Sequence, residues 1–205
     1  FGSSGGYADL VFRNAGGERL ERLVAGRVGL DGTYVSDAVW ADLDNDADLD
    51  LVVAAWGSAS RVYRNDGAGE LHPVDAGELD DDLAFYSSVS ASDVDGDGAL
   101  DLLFTQWPIN EAGGAPNHLF RNDAPSGHWL GVELEGTTSN RSGAGAVVLV
   151  TAQVRGGTRT QVRHRSTRTS WRSAGGSTLH FGLGDADTVE RIEVRWPSGR
   201  TDVVQ

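Results

Sequence analysis

The chain has 205 residues, of which 39% are hydrophobic and 23% are charged, a balance typical of a folded protein with one large or two small domains. No apolar run approaches the roughly 20 residues that a membrane-spanning helix needs, so we expect no membrane insertion. The absence of Cys and Lys excludes disulfides, thiol chemistry and Schiff-base lysines. The formal net charge of -13 argues against nucleic acid and anionic lipid as partners and favours cations.

The charge divides the chain into two parts. Residues 1–127 carry 23 acidic side chains and 7 Arg, a net charge of -16, whereas residues 128–205 carry 7 acidic side chains and 10 Arg, a net charge of +3. We therefore predict a domain boundary near residue 127. Gly is frequent, short β-branched or alternating runs recur, and no apolar period of 3.6 residues is sustained, which predicts an all-β protein. The first residue is not Met and no secretion signal is present, so we expect a processed or partial form of a longer chain.

An internal repeat organises the first part. Three copies of an apolar-aromatic-Arg-Asn tetrapeptide occupy residues 11–14, 62–65 and 119–122. Asp42 and Asp93 each begin an acidic run 28 residues after the first and second of these copies, and Trp56 and Trp107 each follow 14 residues later, all with a period of 51. A unit of about 50 residues made of short strands has the size of a propeller blade, which needs neighbours to bury its faces. Two units cannot close a ring, so we expect them to be covered by further chain, by the second part, or by other copies in an oligomer or filament.

The second acidic run, residues 93–101, has the pattern of a metal chelate. It places carboxylates at positions 1, 3, 5 and 9, namely Asp93, Asp95, Asp97 and Asp101. Gly98 stands at the sixth position, where a tight turn favours positive φ, and the carbonyl of Ala99 would add another oxygen. Oxygen ligands without nearby His or Cys favour Ca²⁺. An EF-hand would need a Glu at position 12 and flanking helices, whereas a strand pattern follows here.

The first acidic run, residues 42–50, keeps the same carboxylates but differs at the turn. The predicted metal-site residues are Asp42, Asp44, Asp46, Asp48 and Asp50, among which Asp48 adds charge to the four alternating carboxylates. Ala47 occupies the position where the turn prefers Gly, and a left-handed conformation there costs about 1 kcal/mol. The alternative for both runs is a solvated acidic turn, but four like charges in nine residues repel one another without a cation. Residues 80–82 lack the alternation and are interpreted as a solvated surface turn.

These features resemble a known family. The two acidic loops, the aromatic-Arg-Asn strand and the 51-residue period are similar to FG-GAP or VCBS-type repeats, the blades of integrin-α-like β-propellers. The resemblance covers residues 1 to about 123 and implies two Ca²⁺ sites, formed by the alternating carboxylates of residues 42–50 and 93–101. Since such propellers usually have about seven blades, the resemblance also implies that this chain holds an incomplete propeller.

The second part resembles another family. The segments His128–Gly136, Asn140–Ala146, Leu179–Gly184 and Val194–Gly199 are similar in order and spacing to the ASPIC/UnbV domain, which follows VCBS-type repeats in cartilage-acidic-protein-like secreted proteins. The strand patterns predict a small antiparallel β-sandwich over residues 128–205. Its strands are expected near residues 129–134, 145–154, 159–165, 178–182, 189–195 and 200–204.

Several side chains of the sandwich carry open alternatives. Trp129, Trp171 and Trp196 are candidates for a sugar-stacking surface, although burial in the core is the commoner role of such residues. A basic face is predicted from Arg159, Arg163, Arg165, Arg168 and Arg172, with docking onto the acidic repeats, solvation or binding of an external anion as its roles. Asn140 opens a glycosylation sequon that lies within the family motif, which favours a structural role.

No catalytic constellation is evident in the sequence. The five His are scattered, no nucleophile motif occurs, and the acidic loops use their carboxylates on metal. We therefore predict a non-enzymatic, extracellular or cell-surface Ca²⁺-binding module of the structural or adhesion type. Its partners would be proteins, surface glycans or copies of itself, contacted through the loop at 108–116 and the Arg-rich face. The alternative is a secreted Ca²⁺-dependent enzyme with its pocket on a propeller face.

Overall fold

The computed structural model of the chain describes residues 11–23, 34–67, 70–107, 116–123, 127–168 and 176–205. Within these residues the protein is all-β, as predicted, apart from one single-turn helix. The predictions made for most of the loop at 108–116, and for Trp171 and Arg172, lie outside the described residues.

The first complete repeat forms a four-stranded antiparallel sheet. Its strands follow one another in space as they do in sequence: β3 (Val35–Ala41), β4 (Asp50–Ala55), β5 (Arg61–Asn65) and β6 (Leu71–Pro73). A hairpin of β1 (Val11–Asn14) and β2 (Leu20–Leu23) precedes it. Residues 42–50, which we call the first loop, join β3 to β4. This meander is the layout expected of a propeller blade.

The second repeat forms a three-stranded sheet with the same plan. After the helix α1 (Glu78–Asp81) come β7 (Tyr86–Ser92), β8 (Asp101–Gln106) and β9 (His118–Phe120), ordered β7-β8-β9. Residues 93–101, which we call the second loop, join β7 to β8. The solvated-turn interpretation of residues 80–82 is correct for the exposed Asp81. It is wrong for Asp80, which pairs with Arg61 at 3.2 Å, and for Asp82, which accepts a hydrogen bond from Tyr86.

The two blades pack face to face around a shared apolar core. The first sheet packs one of its faces on the second sheet, which uses the face opposite to the one used by the first. The side chains buried between them are Val52, Ala54, Val62, Leu79, Tyr86, Val89, Leu102 and Phe104. The other face of the first sheet buries Leu51, Val53 and Tyr63, with Val11 of the preceding hairpin beside them. β-Branched and aromatic residues alternate along these strands, so each sheet presents one apolar set to each neighbour.

Residues 128–205 form the predicted antiparallel sandwich. One sheet pairs β10 (His128–Val132) with β13 (Leu179–Gly184), and the other has the order β12-β11-β14-β15. The bounds of the larger sheet are β11 (Val147–Val154), β12 (Gly157–His164), β14 (Val189–Arg195) and β15 (Thr201–Val204). Alternate residues of β11, from Val148 to Val154, are buried against Phe181 and Leu183 of the smaller sheet. The exact boundary near residue 127 stays a prediction.

None of the sheets built from the described residues closes on itself. Among these residues, no helix is long and apolar enough to cross a membrane.

Candidate metal centres at the seam between repeats and sandwich

The second loop brings three of its four predicted carboxylate ligands together. One oxygen each of Asp93, Asp95 and Asp101 lies within 4.8 Å of the other two. Asp93 also accepts the backbone amides of Gly96 at 2.7 Å and Gly98 at 3.1 Å, which folds the loop around this carboxylate. These three side chains therefore form a cluster that can hold a metal ion.

Two predicted participants of the second loop have other neighbours. Asp97 is exposed, and its Oδ1 accepts the backbone amide of Ala99 at 2.8 Å. Ala99 is fully buried next to it. Asp97 is not part of the converging carboxylate cluster, and its carboxylate and the carbonyl of Ala99 stay predicted ligands.

The first loop repeats this arrangement with the same positions. One oxygen each of Asp42, Asp44 and Asp50 lies within 4.8 Å of the others. Asp42 accepts the backbone amides of Asp46 and Ala47, both at 3.0 Å, and the bond from Ala47 matches that from Gly98 to Asp93. The two loops thus share the bond from the sixth residue to the first carboxylate despite the Ala at the turn, whereas the other amide comes from the fifth residue in the first loop and from the fourth in the second.

The Arg-Asn pair of the repeated tetrapeptide serves these loops. The backbone amide of Asn65 donates to Asp50 Oδ1 at 2.9 Å, and that of Asn122 donates to Asp101 Oδ1 at the same distance. The preceding Arg reaches the third position of its loop, with Arg64 Nε 3.0 Å from Asp44. Arg121 approaches Asp95 at 3.6 Å in the same way. The motif was visible in the sequence, but its role as the clamp of the last carboxylate was not predicted.

The electrostatics of the first loop favour a bound cation. Burial, with the nearby negative charge of Asp46, raises the pKa of Asp42 to about 7, and burial raises the pKa of Asp50 to about 6. Oδ1 of Asp44 is buried and has no hydrogen-bond partner among the described residues. A buried carboxylate oxygen without a partner is costly, and a hard cation would satisfy it. The donor set therefore fits the ion that the family resemblance implies.

Two acidic residues of the first loop bind arginines of the sandwich instead. Asp46 accepts a hydrogen bond from Arg155 at 2.6 Å. Arg159 donates to both oxygens of Asp48 at 2.8 Å. The predicted docking of the basic face onto the acidic repeats is thus confirmed for Arg159. Arg155 was missed, because it lies in the turn between β11 and β12, outside the alternating Arg pattern.

Both loops also pack against the sandwich, and this contact defines the seam between the two parts. Ala47 adopts φ 75°, as predicted for this turn, and its methyl group joins the apolar core of the sandwich. At the equivalent position of the second loop, Gly98 lies directly against the indole of Trp129. The residue at each turn therefore fits its neighbour in the sandwich: the methyl group of Ala47 adds to the apolar core, and the absence of a side chain at Gly98 leaves room for Trp129.

Asn45 ties the two loops and the sandwich together. Its side-chain amide donates to the carbonyl of Gly98 at 2.9 Å, which orients Oδ1 toward His180 Nε2 at 2.6 Å. Its own carbonyl accepts the backbone amide of Gly184 at 2.7 Å. Burial, together with the charge of Arg163, lowers the pKa of His180 to about 4, so its ring is neutral at pH 7.

Trp129 and Trp196, candidates for a sugar-stacking surface or for the core, lie on different elements of the sandwich. Trp129 is 41% exposed and stacks on His180, so it belongs to the seam rather than to the core. Trp196 lies in the turn between β14 and β15 and donates to Asp202 at 2.8 Å. The side chain of Asn140 accepts the amide of Ala144 and donates to its carbonyl, both at 2.8 Å, which supports a structural role.

Blade-like sheets with acidic, cation-competent loops, docked on a small sandwich, define a class of all-β repeat protein. Residues 42–104 match the profile of the FG-GAP-like repeat, and residues 136–205 match the profile described as ASPIC and UnbV. The chain therefore carries an FG-GAP-like repeat followed by an ASPIC/UnbV domain, as the motifs indicated. No curated protein matches the chain at a significant level.

Proposed function

We propose that this protein is an extracellular Ca²⁺-binding recognition module of the adhesion type, in which two bound ions stiffen the repeat loops and the seam. FG-GAP-like repeats are typical of extracellular or cell-surface recognition proteins. The observation that carries the proposal is the convergence of three carboxylates in each loop, at the points where both loops contact the sandwich. Calcium supplies charge neutralisation and multiple oxygen coordination at these points.

The residues that would hold the ions are the clustered ones. Asp42, Asp44 and Asp50 would serve the first site, and the predicted Asp46 would contribute only if its contact with Arg155 were shared. Asp93, Asp95 and Asp101 would serve the second site, with the predicted Asp97 and the carbonyl of Ala99 as further oxygens. Asp48 pairs with Arg159 at the seam and adds negative charge beside the first site.

An exposed apolar face supports self-association or continuation of the propeller. Leu103 and Leu119 pair across β8 and β9, as Val52 and Val62 pair across β4 and β5. In the first blade these side chains are 0% and 7% exposed, because the second blade covers them, whereas Leu103 and Leu119 are 39% and 54% exposed. The described residues thus leave open the face on which another blade would pack, supplied by further chain or by a second copy.

A non-catalytic role is supported by the polar cluster that most resembles a catalytic one. Tyr86 donates to Asp82 at 2.5 Å and lies 2.8 Å from Nδ1 of His118. The hydroxyl of Tyr86 belongs to a fully buried residue, and burial together with Asp82 raises its pKa. A nucleophile or base would need the opposite shift, so the arrangement is better suited to tying α1 to β7 and β9.

The proposal is tested by comparing the full chain in Ca²⁺ and in chelator. We expect captured glycans or proteins on an array to require Ca²⁺, with no turnover of the captured compounds. Asp50→Asn and Asp101→Asn should weaken capture, whereas Asp81→Asn, which removes an exposed acid outside the loops, should not. Capture that is indifferent to chelator and to both loop variants contradicts the proposal.

Self-association is tested separately by sedimentation velocity. Leu103→Asp places a charge on the open blade face, and we expect it to abolish any concentration-dependent assembly of the wild-type chain. Val162→Asp changes another exposed apolar residue, on the sandwich, and serves as the control. A wild-type chain that stays monomeric at all concentrations contradicts self-association and leaves further chain as the expected cover of this face.

A further inference from the structure

The seam contains an open cavity of about 240 Å³ between the two blades and the sandwich. The repeats contribute Trp40, Asp42 and Ser92 to its walls, and the sandwich contributes Arg163 and Arg165. Trp40 remains 47% exposed, so part of its ring is accessible to solvent. The volume suits a small ion or a single sugar residue.

The two arginines of this cavity differ from those at the rest of the seam. Arg155 and Arg159 pair with loop carboxylates, and Arg64 pairs with Asp44. Arg163 and Arg165 form no ion pair with a carboxylate among the residues that the structure describes, although both are partly buried.

Arg163 is held in place by neutral groups. It donates to the Val162 carbonyl at 3.2 Å and to Gln161 Oε1 at 3.1 Å, and its guanidinium carbon lies 5.3 Å from the ring centre of Phe181. Burial lowers the pKa of Arg163, while attraction to Asp42 opposes this shift. An arginine stays charged at neutral pH, so its burial is costly unless an anion approaches.

Arg165 is also oriented by backbone oxygens. It donates to the carbonyls of Ser142 at 3.3 Å, Ser166 at 3.1 Å and Gly176 at 3.3 Å. These bonds hold the guanidinium at the cavity wall without neutralising its charge. The cavity therefore contains two positioned guanidinium groups, a geometry suited to oxyanions.

Little negative charge faces the two arginines in the cavity. Among the described residues, Asp42 is the one acidic residue that lines it, and both oxygens of this carboxylate accept backbone amides of the first loop. The neighbouring His180 lines the cavity and is neutral at pH 7. A cation held by the first loop would further reduce the negative charge that Asp42 presents.

We propose that this cavity binds a small oxyanion, a sulfate or carboxylate group, with Arg163 as its anchor and Arg165 as its second cationic contact. The group can belong to a free ion or to an acidic sugar, whose ring would lie against the exposed face of Trp40. This site goes beyond the proposed function, because it needs neither a partner protein nor an open blade face.

The test is a titration of the full chain in saturating Ca²⁺ with sodium sulfate, sodium glucuronate and neutral glucose, followed by calorimetry and by NMR of the arginine Nε–H groups. We expect sulfate and glucuronate to bind and glucose not to bind. Tighter binding of glucuronate than of sulfate would identify an acidic sugar as the source, and equal or tighter binding of sulfate would identify the free ion. In Arg163→Gln the affinity should fall at least tenfold, whereas Arg200→Gln, which removes a charge outside the cavity, should leave it unchanged.

Two further measurements keep the test decisive. Circular dichroism and thermal melting establish that each variant is folded, and if Arg163→Gln is unfolded, Arg165→Gln decides, with an expected loss of at least threefold. Sulfate should also raise the melting temperature of the wild type but not that of the folded cavity variant. Absence of binding, or equal binding by wild type and both cavity variants, overturns the proposal.

Discussion

The guanidinium of Arg159 donates to both carboxylate oxygens of Asp48 at 2.8 Å, and this pair joins two parts of the chain that lie 111 residues apart in sequence. Arg155 and Asp46 make a second such pair at 2.6 Å. The acidic repeats and the basic sandwich therefore meet through opposite charges at the loops that are candidates for holding metal. A candidate ion site and the docking contact with the sandwich therefore share the first loop.

The pair of Arg159 and Asp48 should contribute measurably to stability. In a double-mutant cycle with Arg159→Ala and Asp48→Ala, we expect a coupling free energy of about 1 kcal/mol, because one guanidinium nitrogen contacts both carboxylate oxygens and the pair is mostly shielded from water. The pair of Arg141 and Glu135 is highly exposed and should give a coupling near zero. Urea denaturation of the four proteins in each cycle measures both values, and equal couplings would contradict this view of the seam.

Adding a methyl group at Gly98 should loosen the seam. A Cβ there would overlap the indole of Trp129, and the backbone has φ 90°, so we expect Gly98→Ala to destabilise the protein by about 3 kcal/mol. Gly96→Ala is the matched control, since its φ is 80° but nothing lies within 4 Å of the added carbon. The control should cost about 1 kcal/mol. Similar losses in the two variants, measured by denaturant unfolding, would show that strain rather than the contact with Trp129 dominates.

Two Ca²⁺ ions should bind per chain, the second loop holding its ion more tightly. Gly98 adopts the left-handed turn without strain, whereas Ala47 does not, and Arg155 competes for Asp46 in the first loop. Isothermal calorimetry should resolve two affinities, of which Asp101→Asn removes the tighter and Asp50→Asn the weaker. Chelation should lower the melting temperature, because the ions bind only the folded loops. An unchanged melt in chelator would contradict the assignment.

The neutral ring of His180 should make stability depend on pH. Its pKa is lowered from 6.5 to about 4 in the folded state, so the unfolded chain binds the proton first as the pH falls below 6.5. The contribution of His180 to the free energy of unfolding is fully present above pH 6.5 and decreases as the pH falls toward 4. Compared with His180→Gln, the wild type should lose about 2 kcal/mol of relative stability between pH 7 and pH 5. Urea unfolding of both proteins in Ca²⁺ measures the difference between their free energies of unfolding. The titration of the carboxylates is common to both proteins and cancels in this difference. A difference that does not change with pH would refute the prediction.

Local spacing alone determined the repeat, the acidic loops and the strands of this protein. The carboxylates of a loop converge because residues at positions 1, 3 and 9 are brought together by a turn whose hydrogen bonds span only a few residues. Ala47 was recognised as left-handed for the same reason. The β-branched residues near 145–154 likewise predicted the strand that the structure shows as β11.

Only the tertiary structure decided what these local elements meet. Asp48 belongs to the acidic ladder in sequence, yet it faces Arg159, and Asp82 belongs to a polar run, yet it accepts the hydroxyl of Tyr86. Trp129 lies at the seam because Gly98 leaves room for its ring. Such contacts depend on how separate sheets pack, and packing reflects shape and charge over residues far apart in sequence, which no short motif encodes.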